Sequence, residues 1–88
     1  MSTYVTGTIS ATGASDSVIG RAIQIMMRFT GTASIDVEVK GRDGSWIKKT
    51  ADIAADHYQV IEDPIGVEVR LNCTTYTDDV AYSLEAKR

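Results

Sequence analysis

Few residues of this chain are able to do chemistry, because it contains one histidine, His57, and one cysteine, Cys73. A nucleophile needs an activating base and a metal ion needs several ligands, and neither residue has a partner at motif spacing. Cys73 continues the apolar alternation of its segment, which predicts a buried packing thiol, and His57 is expected at the surface. We therefore predict no catalytic residues and no enzyme activity.

Acidic residues occur in pairs that could contribute oxygen ligands to a calcium ion. Asp52 and Asp56 are four residues apart, and Asp78 and Asp79 are adjacent. Neither spacing matches a calcium-binding loop, so the simpler interpretation is that these carboxylates lie in turns and accept hydrogen bonds from nearby backbone. The seven glycines form no phosphate-binding loop. We expect neither a metal nor a cofactor.

Aromatic side chains offer one further type of site. Trp46, Tyr58 and Tyr76, with Tyr82, could form a platform on which a sugar ring stacks, since aromatic rings pack against apolar sugar faces. The alternative is that these rings belong to the core of a small domain.

Composition restricts the class of protein. The chain has 88 residues, which fits a single domain spanning 1–88, and its 43% hydrophobic content is that of an ordinary globular protein. The net charge is −3 and no basic patch is present, so nucleic acid is not an expected partner. Apolar runs such as 25–27 are too short to cross a membrane, and the polar opening lacks a signal-peptide core. One cysteine excludes an intrachain disulfide.

Alternation of apolar and polar residues with a period of two recurs along the whole chain and predicts β-strands. The alternating segments are 4–9, 18–19, 21–30, 34–40, 45–49, 57–62, 67–73 and 80–87. About seven strands separated by turn signals predict an all-β fold, a single antiparallel β-sandwich of the immunoglobulin-like or jelly-roll-like type, with a small barrel as the alternative.

Several local features follow from this pattern. Residues 41–44 predict a tight turn that makes a hairpin of 34–40 and 45–49, with Asp36, Glu38 and Lys40 facing solvent. Residues 63–66 predict a turn between two strands, and 67–73 is expected to pair antiparallel with 80–87. Residues 50–56 are ambiguous and could form one helical turn.

Two successive methionines are the most informative irregularity. Met26 and Met27 must point to opposite faces of their strand, so Met26 is exposed unless both faces are covered within the monomer. An exposed Met26 beside Gln24 and Arg28 would form an apolar centre with a polar rim, as in protein interfaces. Together with Tyr4 on the first strand, these residues are the candidate interface, and sheet edges are the expected route to a homo-oligomer.

A resemblance to a known group rests on three motifs. The runs 28–39, 42–46 (Arg-Asp-Gly-Ser-Trp) and 67–73 (Val-Glu-Val-Arg-Leu-Asn-Cys) resemble small β-sandwich virion proteins of tailed bacteriophages. In that group a strand leads through Phe-x-Gly to a second strand, an Asp-Gly turn and a Trp, and a later strand carries Val-x-Val-Arg-Leu. The resemblance covers residues 20–87.

The resemblance implies a virion structural protein, a capsid decoration (cement) protein or a head or tail accessory protein. Such a protein is made in the bacterial cytoplasm and assembles on the virion, where its partners are the major capsid or tail protein and copies of itself. A trimer would suit the local three-fold positions of a capsid. The alternative hypothesis, based on Trp46 and the tyrosines, is a small module that binds a carbohydrate or another cell-surface ligand.

Overall fold

The computed structural model describes residues 2–87, and every regular element within that range is a β-strand. The predicted all-β fold is confirmed. The strands are β1 (Ser2–Ile9), β2 (Gly13–Ala14), β3 (Val18–Phe29), β4 (Ala33–Lys40), β5 (Trp46–Ile53), β6 (His57–Tyr76) and β7 (Val80–Lys87). Because residues 2–87 contain no helix, none of their segments is a helix able to cross a membrane.

All pairings are antiparallel and belong to one sheet with the order β1-β7-β3-β6-β4-β5, to which β2 adds by pairing with β6. The edge strands β1 and β5 do not pair with each other among the described residues, so the sheet is not closed into the barrel that was the alternative. The sheet instead folds over on itself like a sandwich. Its first layer contains β1, β7, residues 22–29 of β3 and residues 57–62 of β6, and its second layer contains β5, β4, residues 67–76 of β6 and β2.

The layers are connected where β3 and β6 bend side by side. Gly20 pairs with Val67 and Ala22 pairs with Glu62, so four residues of β6 stand opposite one residue of β3. Gly66 has a φ of 104°, which glycine adopts without steric cost. The predicted turn at 63–66 is therefore a corner inside β6 and not the end of a strand, because β3 keeps both arms of β6 paired.

A single apolar core lies between the layers. It takes buried residues from every strand except β2, among them Ile23 and Ile25 of β3, Leu71 of β6 and Leu84 of β7, all fully buried. Met27 and Cys73 lie in the same core. The period-two pattern of the sequence is thus explained by burial of one side of each layer.

One ambiguous segment forms a strand, and one predicted strand pairing is wrong. Residues 50–53 continue β5 and are not helical, because they pair with β4 through residues Thr50 and Ile53. Strands β6 and β7 follow one another in the chain but do not pair, since β7 lies between β1 and β3. The connection at 77–79 crosses from the second layer to the first, where Val80 pairs with Ile9 and Phe29. The predicted hairpin of β4 and β5 is confirmed.

Candidate functional site

The exposed side of the first layer collects most of the large apolar side chains that the fold leaves in solvent. Tyr4, Met26, Tyr58 and Val60 are 59%, 42%, 60% and 47% exposed. Met26 pairs with Tyr58 across β3 and β6, and Gln24 pairs with Val60 one step along. We call this surface, made of Tyr4, Gln24, Met26, Tyr58 and Val60, the Met26 face.

The two methionines divide as alternation requires. Met27 is buried in the core, whereas Met26 is exposed, so the alternative in which the monomer covers both sides of β3 does not hold. Gln24 orders the surface around Met26: its Nε2 donates to the hydroxyl of Tyr58 at 3.2 Å and lies 3.9 Å from the Met26 sulfur. Met26 is the flexible apolar centre of this face, a side chain that adapts readily to a partner.

A shallow depression of about 170 Å³ lies beside Met26. Its walls include Arg28 of β3, and its floor is made by the small residues Ala81 and Ser83 of β7. A depression next to an exposed methionine can accept one side chain of a partner. Arg28 stands at its rim, as an interface of an apolar centre and polar border requires.

The four predicted interface residues lie on one side of the sheet. Gln24, Met26 and Arg28 are successive outward residues of β3, and Tyr4 is outward on β1, separated from Gln24 by Glu85 of β7. Sequence reasoning did not place Tyr58 and Val60 on this surface, although their alternation in 57–62 was recognised. Only the pairing of β3 with β6 brings them beside Met26.

The outward side of the second layer is different, because charged side chains cover it. Asp36 and Glu38 are buried, so the prediction that they face open solvent is wrong. Glu38 accepts from Arg70 Nε at 2.8 Å and from Asn72 Nδ2 at 3.3 Å. The guanidinium carbon of Arg70 lies 4.1 Å from the centre of the Trp46 ring, a cation–π contact.

Asp36 is held by two groups from β5. Its Oδ1 accepts from the backbone N–H of Asp52 at 2.9 Å, and its Oδ2 is 3.2 Å from Lys48 Nζ. The second contact has the distance of an ion pair but not the angle of a hydrogen bond. Asp52 has a φ of 57°, so β5 curls to bring its N–H onto the carboxylate. Paired charges therefore close this surface.

The structure does not bring the proposed aromatic platform together. Trp46 lies under Arg70 on the outward side of the second layer, and Tyr58 belongs to the Met26 face of the first. Tyr76 packs against the core and hydrogen-bonds to Asp79 at 2.5 Å. Tyr82 also packs against the core, opposite Gly7.

Reactive and acidic residues have structural contacts. Burial raises the pKa of the Cys73 thiol, which makes it a weak nucleophile. Nε2 of His57, half-buried, is 2.9 Å from Gln59 Oε1. Asp56 accepts from the N–H of Phe29, and Asp78 accepts from the N–H of Thr32, each at 2.8 Å, so these two carboxylates bond to backbone that is far away in the chain and not to the neighbouring backbone that was predicted. Across residues 2–87 no three acidic, histidine or cysteine side chains are grouped to hold a metal.

Comparison with known proteins gives a fold and no family. No family model matches the chain, and no curated protein matches it. Among solved structures it is similar to the Yersinia pseudotuberculosis-derived mitogen (YPM), with a TM-score of 0.54 and 15% sequence identity over 97% of this chain and 83% of that one. At that identity the likeness concerns the architecture alone: this chain has the all-β, sandwich-like fold of that mitogen.

Proposed function

We propose that this chain is a structural protein of a bacteriophage virion, a capsid decoration (cement) or head–tail accessory protein, which binds the major capsid or tail protein of the particle through the Met26 face. The observation that carries the proposal is the concentration of exposed apolar side chains on one side of the sheet. The motifs at 28–39, 42–46 and 67–73, which resemble those of small virion proteins, supply the class of partner.

The physical argument compares the two outward surfaces. In the second layer Glu38 and Asp36 are already paired with Arg70 and Lys48, so a partner would have to break existing contacts. The Met26 face has apolar side chains exposed to solvent. A partner that buries them would stabilise a complex by about 25 cal/mol per Å² of buried apolar surface, before the cost of association is subtracted. Assembly through the first layer is therefore favoured.

Met26→Glu tests the proposal. A carboxylate in the centre of the interface would lose its hydration when the partner covers it, so we expect binding to particles to weaken by about 100-fold, the equivalent of about 3 kcal/mol. The measurement is cosedimentation of purified protein with virions grown without this chain. Electron microscopy of the same particles should show added density for the wild-type protein.

Ile47→Glu is the matched control, because Ile47 is 54% exposed on β5, away from the Met26 face. It introduces the same charge on a surface that the proposal leaves free, and it should bind like wild type. Equal binding by the Met26 variant and wild type would contradict the proposal, as would loss of binding in both variants.

A carbohydrate-binding function is the second candidate, and one cleft favours it. The cleft has a volume of about 330 Å³ and lies between the end of β1 and residues 10–16, with Thr8, Ser10 and Thr12 in its wall and Tyr82 and Asp16 facing it. Hydroxyl groups, one carboxylate and one aromatic ring suit a polyhydroxylated ligand. Binding on a glycan array that Asp16→Ala, a change at an exposed residue of the cleft, abolishes would favour this function, and silence of the wild-type protein on the array would remove it.

A further inference from the structure

The two open edges of the sheet are built differently. Strand β5 carries Lys48 and Lys49, its pairing with β4 shifts register twice, and Asp52 has a positive φ. Charge and bulges of this kind keep a foreign strand from adding to an edge. Strand β1 has neither: residues 2–9 contain no charged residue and no proline, and they pair with β7 without a register shift.

The direction of the free peptide groups in β1 can be traced across the sheet. At the end of β3, two successive N–H groups point to opposite neighbours. The N–H of Phe29 donates to Asp56 on the β6 side, and the N–H of Thr30 donates to the carbonyl of Asp79 on the β7 side. Peptide groups alternate in direction along a strand, so the even-numbered residues of β3 bond to β7.

The same alternation continues through β7 to the edge. The β7 partners of the even-numbered β3 residues are odd-numbered, which leaves the even-numbered residues of β7 to bond to the odd-numbered residues of β1. The N–H and C=O groups of Tyr4, Thr6 and Thr8 consequently point away from β7, at an edge where no other strand within residues 2–87 pairs with β1.

We infer that β1 is an assembly strand, which pairs antiparallel with β1 of a second copy of this chain and joins the two first layers into one continuous sheet. The inference rests on the assembly function proposed above and names one partner in it.

A second copy is the occupant that the strand itself indicates. In a two-fold interface residue i of one copy contacts residue j of the other and j contacts i, so both strands of the pair are β1 and a strand without charged residues brings no like charges together. The outward side chains Tyr4, Thr6 and Thr8 are uncharged, and aromatic and β-branched residues form favourable cross-strand pairs. This pairing closes at two copies, so the structure favours a dimer over the trimer suggested by capsid symmetry.

Tyr4 connects this edge to the Met26 face. It is exposed on the outward side of β1, two strands from Gln24. Pairing of two β1 strands therefore places both copies of the Met26 face on the same side of one extended sheet.

Thr6→Pro tests the inference. Proline removes the N–H of residue 6, which points to the free edge, and leaves the backbone hydrogen bonds between β1 and β7 in place, while the bond from the Thr6 hydroxyl to the carbonyl of Tyr82 is lost. Light scattering over a range of protein concentrations should show a dimer for wild type, and a dissociation constant at least about tenfold higher for the variant, which loses one edge hydrogen bond per copy and gains the steric bulk of the ring.

Two further variants keep the experiment interpretable. The Thr6 hydroxyl donates to the carbonyl of Tyr82 at 3.1 Å, and both Thr6→Pro and Thr6→Val remove this bond. Thr6→Val keeps the backbone N–H, so it should dimerise like wild type. Thr8→Lys keeps the backbone and adds the charge that natural edges use against pairing, so it should weaken the dimer even if the proline variant fails to fold.

A wild-type protein that stays monomeric at every concentration would overturn the inference, and so would a Thr8→Lys variant that dimerises as tightly as wild type. Neither result affects particle binding by a monomer, which the Met26→Glu experiment measures separately. If Met26→Glu loses particle binding but still forms the dimer, the Met26 face and the β1 edge act independently.

Discussion

Gly20→Ala is expected to lower the free energy of unfolding by about 3 kcal/mol, the upper part of the usual range for overpacking a core. A Cβ atom at this position would lie 2.8 Å from the backbone oxygen of Lys87 and 2.9 Å from the Cβ of Ala86. Both atoms belong to β7, which is paired on both sides and has no room to withdraw. The corner where β3 passes between the layers therefore has to open.

Thermal unfolding followed by circular dichroism measures this effect. For a domain of this size each kcal/mol corresponds to about 4–8 °C, so the midpoint should fall by about 12–24 °C. Gly41→Ala is the matched control, because its Cβ would lie 3.1 Å from a carboxylate oxygen of Asp43 on an exposed turn and no closer than 3.5 Å to a backbone atom. A Gly20 variant as stable as the Gly41 variant would show that the corner is looser than its distances indicate.

Glu38→Ala is expected to cost about 2–3 kcal/mol, because it leaves the partly buried guanidinium of Arg70 without its carboxylate. Asn72 loses an acceptor in the same step, which adds to the cost of the unpaired charge. The contact of Arg70 with Trp46 remains, and Arg70 keeps some access to water, so the loss stays below that of a fully buried pair.

Urea unfolding gives the change in free energy directly, and Glu38→Gln separates the contributions. The amide retains one oxygen for Arg70 but removes the charge and replaces the oxygen that accepts from Asn72 with an N–H donor, so it should lose less stability than the alanine variant but more than the charge alone would cost. Fluorescence of Trp46 should change in the alanine variant, since Arg70 is the group stacked on its ring. Unchanged stability in both variants would mean that the network is a solvated surface and would weaken the contrast between the two sides of the protein.

That contrast is central to the function we propose. One layer closes its outward side with internal ion pairs, and the other leaves the large apolar side chains of the Met26 face exposed. A protein that works by assembly needs one surface of each type, because the first prevents indiscriminate association and the second binds. The unequal edges β1 and β5 repeat the same division along the border of the sheet.

The local alternation of apolar and polar residues was sufficient to predict the strands and, in the clearest of them, which side chains are buried in the core. Alternation in 67–73 and 80–87 correctly buries Val69, Leu71, Val80 and Leu84. The same pattern placed Met26 and Met27 on opposite faces of their strand. It left two alternatives: either Met26 is exposed, or the monomer covers both faces of the strand. It did not identify the partners of Asp56 and Asp78, whose side chains accept from the N–H groups of Phe29 and Thr32, residues far away in the chain.

Long-range pairing was needed for everything that crosses between strands. Alternation in 34–40 assigned Asp36 and Glu38 to the outward side, and they are on it, but the groups that bury them come from β5 and β6. The sequence of 63–66 likewise predicted a turn between two strands. In the structure it is a corner within β6, because β3 pairs with β6 on both sides of it.

The period of two within single segments was enough to predict an all-β chain, the core side of strands such as 67–73 and 80–87, and the opposite directions of Met26 and Met27, because each of these depends on local alternation. The tertiary structure alone decided that β7 separates β1 from β3, that Tyr58 and Val60 join Met26, and that β1 is an edge with free peptide groups. Strand order depends on contacts between residues far apart in the chain, and no local pattern specifies which strand will lie beside which.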